Sequence, residues 1–458
     1  MERMVTIGMG NRVWSMGYDT GHICLCKLCL CPATNLYSLP LFDLLVHHGL
    51  FPTAPSQPRM AVSTDLLAFY QALFEHSCDA IHGQAIQEPF QHGLGQAVQW
   101  YDILQTEVEW QTEAAVQICR ERVHEACHSQ CNDESILSTP KPSNVSLLQG
   151  QCASILTQRC PACFGGNLFG RPLSEGGDIN VAMDSNFHHR HQQSAGDCPR
   201  FYKPSYFLPK TQVDDVGHRI ILKCKQAPKI RSPLVLDEAI NQCEHSYEAA
   251  DGKKQKAAME LFDDTGVIAL ICRHNIPLFF ANIDSPGEQQ KYAVSLIEHL
   301  FSLLPQQATV ITLYNMGCIL SRSLSQYNIL PEPWACQLEF NPQMCNGLGL
   351  SHGEGTERLW SRFVKLIGIQ WSSSRQRRLW LIDRQAGVIG LEIRTDLGEW
   401  IKQRLKCGIN AQGAVAKDVL NSCGIEIEDL KDQWADQKKS QLSICACMYV
   451  NMRESWSN

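Results

Sequence analysis

The chain has 458 residues, 44% of them hydrophobic and 19% charged, with a formal net charge of −7. That apolar share allows a sizeable core, and the charge share is too low for a disordered or coiled-coil protein. The acidic balance excludes a uniformly basic nucleic-acid coat but leaves room for a local basic face. At roughly 150 residues per domain, the length predicts about three domains.

The first residues lack a continuous apolar core and a cleavage motif, so no secretory signal is expected. The longest apolar stretch, Val267 to Ile283, is broken by Arg273, His274 and Asn275, so no membrane span is expected. In a reducing compartment the 22 cysteines are thiols or metal ligands rather than disulfides. Fourteen of them precede residue 250, which predicts zinc chemistry mainly in the N-terminal half.

Residues 1–60 carry a cluster, Cys24, Cys26, Cys29 and Cys31, tighter than an ordinary zinc finger. Its ligands fit two sites, one cluster, or no metal. A short helix stops at Gly49 and Pro52. Residues 61–150 read as helical, with Thr64 as an N-cap, a long helix over 95–130 and a linker over 132–148. Cys160-Pro-Ala-Cys163 is a turn with knuckle spacing, either free thiols or half of a zinc site. Cys152, Cys198 or a residue of the His188–His191 run are the candidates to complete it, and that run reads equally as a solvated loop.

From residue 179 the elements follow a definite order. Ile179–Met183 is a strand ending at Asp184, and a polar insertion fills about 190–260. Gly266–Arg273 and Ile276–Ile283 form a hairpin, Glu288–Leu304 a helix, and Ala308–Tyr314 a strand ending at Asn315. Helices follow from Gly355 to about residue 440, and a divergent tail covers 441–458. This order predicts an α+β or α/β protein: a ribonuclease-H-like mixed-sheet core over 151–440, between a helical, cysteine-containing N-terminal region and a helical C-terminal one. In such a core adjacent strand ends present carboxylates to two divalent metals. Those ions need hard oxygen ligands to activate the attacking oxygen and stabilise the leaving one. Asp184 and Asn315 are then expected side by side.

More specific words run along the chain in one order. They include the Cys160–Gly166 turn, Asp184-Ser-Asn-Phe-His188, Phe262-Asp-Asp-Thr-Gly266, Cys272-Arg-His274 and Gly287-Glu-Gln-Gln-Lys-Tyr292. Leu313-Tyr-Asn-Met-Gly-Cys318, Trp334-Ala-Cys-Gln337 and Gly353-Glu-Gly-Thr-Glu-Arg-Leu-Trp-Ser361 follow. Together they closely resemble the Kyakuja-Dileera-Zisupton transposases, abundant in basidiomycete fungi, over roughly residues 24–440. The Cys24–Cys31 cluster resembles the CxC-type cluster upstream of those enzymes.

The resemblance implies a metal-dependent DNA transposase with an Asp-Asp-Glu triad, Mg²⁺ or Mn²⁺ as cofactor, DNA ends and target as partners, and a nuclear location. It leaves a homo-oligomer open. The first acid matches Asp184. The second position is Asn315, where the family has aspartate. The third is Glu357 or Glu354; Glu357 is favoured, because Glu-Arg-x-Trp-Ser is similar to a catalytic motif of hAT-type transposases. Between Leu330 and Trp334 the family's His-Ala-x-x-His segment is missing. These departures imply a decaying copy that no longer cuts DNA, whose alternative is a non-catalytic zinc- and DNA-binding remnant. Residues Gly355–Lys406 hold eleven Lys/Arg against five Asp/Glu. Arg358, Arg375, Arg377 and Arg378, with Trp360, Trp371 and Trp380, are candidates to grip phosphates and stack bases, or else belong to an amphipathic helix set with core tryptophans.

Overall fold

A computed structural model describes residues 4–7, 13–16, 41–54, 60–77, 88–130, 147–225, 261–317, 320, 348 and 354–437. The Cys24–Cys31 cluster, residues 330–334 and the divergent tail lie outside them. The chain divides into two compact units, residues 1–142 with 199–203, and 143–198 with 204–458.

The first unit contains an antiparallel sheet ordered β2-β1-β4-β3, from β1 (Met4–Ile7), β2 (Val13–Met16), β3 (Leu50–Pro52) and β4 (Met60–Ser63). The helices are α1 (Leu41–His47), α2 (Thr64–Ser77) and α3 (Glu88–Gln130). The sequence reading has the helices and misses the sheet, because strands of three or four residues are too short to show a period of two. Leu94, Ala97, Val98 and Tyr101 share one face of α3, three and four residues apart, and pack on Phe51, Val62 and Leu67. Thr64 opens α2, and its hydroxyl donates to the Gly49 carbonyl at 3.2 Å.

The second unit is a mixed α/β structure around a four-stranded sheet ordered β11-β10-β7-β12. These strands are β7 (Ile179–Asn186), β10 (Gly266–Cys272), β11 (Pro277–Ile283) and β12 (Val310–Tyr314); β5 (Leu148–Gln149) pairs with β6 (Leu168–Phe169), β8 (His191–Gln192) pairs with β9 (Phe262–Asp264), and helices α4 (Ser154–Arg159), α5 (Pro161–Phe164) and α6 (Lys210–Cys224) lie along the same stretch of chain. The strands expected over 179–184, 266–283 and 308–315 therefore do share a sheet. β10 is antiparallel to both β11 and β7, while β12 runs parallel to β7. β10 is buried throughout, so it reads as a continuous apolar run rather than an alternation.

β7 sorts its side chains by the two-residue repeat of a strand. Ile179, Val181 and Met183 enter the main core with Tyr292, Ala293 and Leu296 of α7 (Gln290–Ser302). Asn180, Ala182 and Asp184 face the other way, and Asp184 meets α8 (Gly355–Phe363). Helices α9 (Ile367–Ser372) and α10 (Arg375–Gln403) follow. Ser374 caps α10 by accepting from the Arg377 N–H at 3.4 Å.

Two candidate metal centres in the second unit

The parallel register of β7 and β12 pairs Met183 with Tyr314. The next residue along each strand, Asp184 and Asn315, is therefore level and on one face of the sheet. Asn315 Nδ2 donates to Asp184 Oδ1 at 3.3 Å. The other carboxylate oxygen accepts from Trp360 Nε1, also at 3.3 Å. Trp360 is buried on α8, one turn beyond Glu357. Burial pushes the Asp184 carboxyl up, and the negative charge of Glu357 adds to this; the Trp360 and Asn315 donors pull it partly back. The structure thus brings Asp184, Asn315 and the Glu357-bearing helix to one place. Glu354, two-thirds exposed, instead pairs with Arg358 at 3.7 Å.

Glu288 is a third acidic residue at this end of the sheet, and the sequence reading gave it no role. α7 starts at Gln290 rather than at Glu288, so Glu288 sits just ahead of the helix. Tyr314 donates its hydroxyl to Glu288 Oε1 at 2.6 Å, while Oε2 is buried with no hydrogen-bond partner. Burial and the charge of Asp184 hold its pKa above the usual range. Two neighbouring buried carboxyls, both held above the usual range, are an electrostatic setting suited to a divalent cation.

The second centre corrects the expected ligand set. Cys160, Cys163, Cys272 and His274 offer ligand atoms that all lie within 4.8 Å of one another, so this group could hold a metal ion. His274 Nδ1 is 3.1 Å from the Cys163 sulfur and 3.4 Å from that of Cys160. The Cys163 and Cys272 side chains face the Cys160 sulfur and hold its pKa far below the thiol range. Burial pushes Cys272 up, and proximity to Cys160 pushes Cys163 up. The cluster joins the knuckle between α4 (Ser154–Arg159) and α5 (Pro161–Phe164) to the turn after β10.

None of the residues expected to complete the set belongs to it. Cys198 accepts from the Ser374 hydroxyl at 3.1 Å, and burial raises Cys152 to about 11. His189 is buried against Gln370 at 2.9 Å and pushed down to about 4, chiefly by burial. His191 bonds Asp263 at 2.6 Å and the Ser373 carbonyl at 2.9 Å. The available signal was Cys272-Arg-His274 itself, a one-residue spacing at a hairpin turn.

The proposed DNA-gripping side chains are largely committed to the core. Arg378 is fully buried; it donates to Asp264 at 3.2 Å, Asn282 at 2.8 Å and the His189 carbonyl at 2.7 Å. Its complete burial keeps it out of reach of a phosphate on the surface. Arg375 pairs with Asp263, and Arg377 lies 4.2 Å over the Trp380 ring. Trp360 and Trp380 are buried, which is the core reading of these tryptophans. His191, Asp263 and Asp264 also form a tight group, but Arg375 and Arg378 already neutralise its carboxylates. Of the four arginines, Arg358 is the most exposed, at about half of its side chain.

The second unit is therefore a mixed α/β domain with a carboxylate site at its strand ends and a Cys/His group at its hairpin. Residues 178–333 and 332–388 match the family model of the Kyakuja-Dileera-Zisupton transposases. No curated protein and no solved structure matches the chain. The matched span contains Asp184, Glu288, Asn315 and Glu357, together with Cys272 and His274; Cys160 and Cys163 precede it. Among the described residues, no helix is long and apolar enough to cross a membrane.

Proposed function

We propose that the second unit is a ribonuclease-H-like DNA transposase domain that has lost strand cleavage at its second acidic position. The observation that carries this reading is the Asn315 amide donating to Asp184 at the ends of adjacent parallel strands. In the ancestral arrangement Asp184, an aspartate at position 315 and Glu357 hold Mg²⁺ or Mn²⁺. Ions bound there would activate an attacking oxygen and neutralise the charge on the leaving one. The residues present fit only in part. Asp184, Glu357 and Glu288 supply carboxylates, but position 315 supplies a neutral amide. Both Asp184 oxygens accept hydrogen bonds from neutral donors, so the carboxylate is satisfied without a cation. The missing segment between Leu330 and Trp334 is a second defect, because it shortens the connection from position 315 to Glu357.

The ion we assign to Cys160, Cys163, Cys272 and His274 is zinc. Three sulfurs and one imidazole nitrogen form a soft, closed set of four with no open position, as in structural zinc sites. Together with the amide at position 315, this gives the reading its specific form: a folded, zinc-stabilised protein in the nucleus, directed to DNA but unable to cut it.

The test is divalent-ion affinity. Asn315→Asp is expected to tighten Mn²⁺ binding by about tenfold, on the order of 1.4 kcal/mol, in titration calorimetry. Adding Asp184→Ala should remove the gain. Equal affinities in the unmodified and Asn315→Asp chains would count against the site.

A further inference from the structure

We infer that the Cys/His metal site sets the position of α8, the helix that carries Glu357 and Trp360, by fixing the hairpin turn on which α8 begins. This rests on the zinc reading above and adds a task to it: holding the third acid in place.

The turn is defined by the ligands. Cys272 ends β10 and His274 lies two residues on, so one ion bound to both fixes the start of the turn. The backbone fixes the rest. Arg273 N–H donates to the Asn180 carbonyl of β7 at 3.0 Å, Asn275 N–H to Cys272 at 2.9 Å, and Cys272 N–H to Ile276 at 3.0 Å. Asn275 is left-handed, with φ of 64°, alone among the described non-glycine residues. That conformation suits asparagine better than most side chains and costs little only where the surroundings hold it.

α8 starts against this turn. A side-chain carbon at Gly355 would collide with Asn275 Oδ1 and fall 2.8 Å from Ile271 Cδ1. A larger residue there would have to displace the side-chain ends of Asn275 in the turn and Ile271 in β10, so the first residue of α8 packs closely on the metal-held turn. Five residues later, at about 1.5 Å of rise each, Trp360 reaches Asp184. Glu357 lies between these two contacts. The cluster and the carboxylate site are thus joined through one short helix with a fixed point at each end. An error of about 1 Å at a reacting group can cost on the order of a hundredfold in rate, so a rigid mount for the third acid is of use to an intact enzyme.

A purely local role for the ion is the competing account, in which Leu359, Trp360 and Phe363 hold α8 by burial alone. Hydrogen exchange of the full chain, read in peptides covering 355–363, separates the two. The zinc-loaded protein is the reference. His274→Ala should lose the metal and speed exchange there about tenfold, and His274→Cys, which keeps four ligands, should restore both. Gly355→Ala should keep one zinc per chain yet also speed exchange in this helix about tenfold, with β10 and β11 unchanged. If His274→Ala unfolds the unit, Gly355→Ala and the His274→Cys rescue still decide. Unchanged exchange over 355–363 in zinc-loaded Gly355→Ala overturns the inference and leaves the zinc reading standing. An unmodified protein without zinc overturns both.

Discussion

Cys272→Ser is expected to strip the metal from the second unit and abolish its cooperative unfolding transition. Cys272 is fully buried at the end of the central strand β10, and its sulfur completes the proposed zinc site. Structural zinc binds zinc-finger peptides with roughly 10–16 kcal/mol at neutral pH, while whole domains are stable by only about 5–15 kcal/mol. Losing the ion therefore removes a share comparable to the entire stability. The substitution also leaves a serine hydroxyl and two thiols facing one another in a dry interior, where unpaired polar groups are costly. Cys152→Ser is the control, since it is half-buried beside the same core but outside the ligand set. Zinc content and thermal unfolding of the two variants check this. A Cys272→Ser protein that keeps its zinc and melts with the unmodified chain would remove the site from the account.

The second large effect is expected at Arg378. Its side chain and that of Asp264 are almost wholly inaccessible, so each neutralises a charge that water cannot reach. Removing one partner of a buried ion pair costs about 3–5 kcal/mol, which for a unit of this size lowers the melting temperature by roughly 10 °C. Arg378→Met should show that loss. Arg378→Met combined with Asp264→Leu should recover most of it, because the stranded carboxylate is then gone. Thermal melts of the single and double variants measure the difference. A phosphate-binding arginine would behave oppositely, weakening DNA binding with little change in stability.

The sheet was legible because β7, β10, β11 and β12 are either strongly apolar or end at an acid or amide. Asp184 and Asn315 could be paired from strand order alone. The completion of the Cys/His group was not legible, because Cys163 and Cys272 are far apart in the chain and only the fold brings β10 back to the α4–α5 knuckle. Proximity along the chain favoured Cys152, Cys198 and the histidine run instead. Arg378 misled for a related reason. A cluster such as Arg375-Gln-Arg-Arg378 looks like a basic surface, yet a helix turns each side chain about 100° from the last. One of the three arginines consequently points into the core and meets Asp264. Glu288 escaped notice because its neighbours, Tyr314 and Ser185, come from two other strands.

The most direct test of the central claim is strand nicking of DNA carrying the element's ends, in Mg²⁺ or Mn²⁺. The three proteins to compare are the chain as it stands, Asn315→Asp, and Asn315→Asp with a His-bearing segment restored between Leu330 and Trp334. Asparagine is nearly isosteric with aspartate, so Asn315→Asp should fold as the unmodified chain does, and an amide holds a divalent ion less firmly than a carboxylate. The account expects no nicking from the first, little from the second and clear nicking from the third. Robust, metal-dependent nicking by the unmodified chain, abolished by Asp184→Ala, would contradict it.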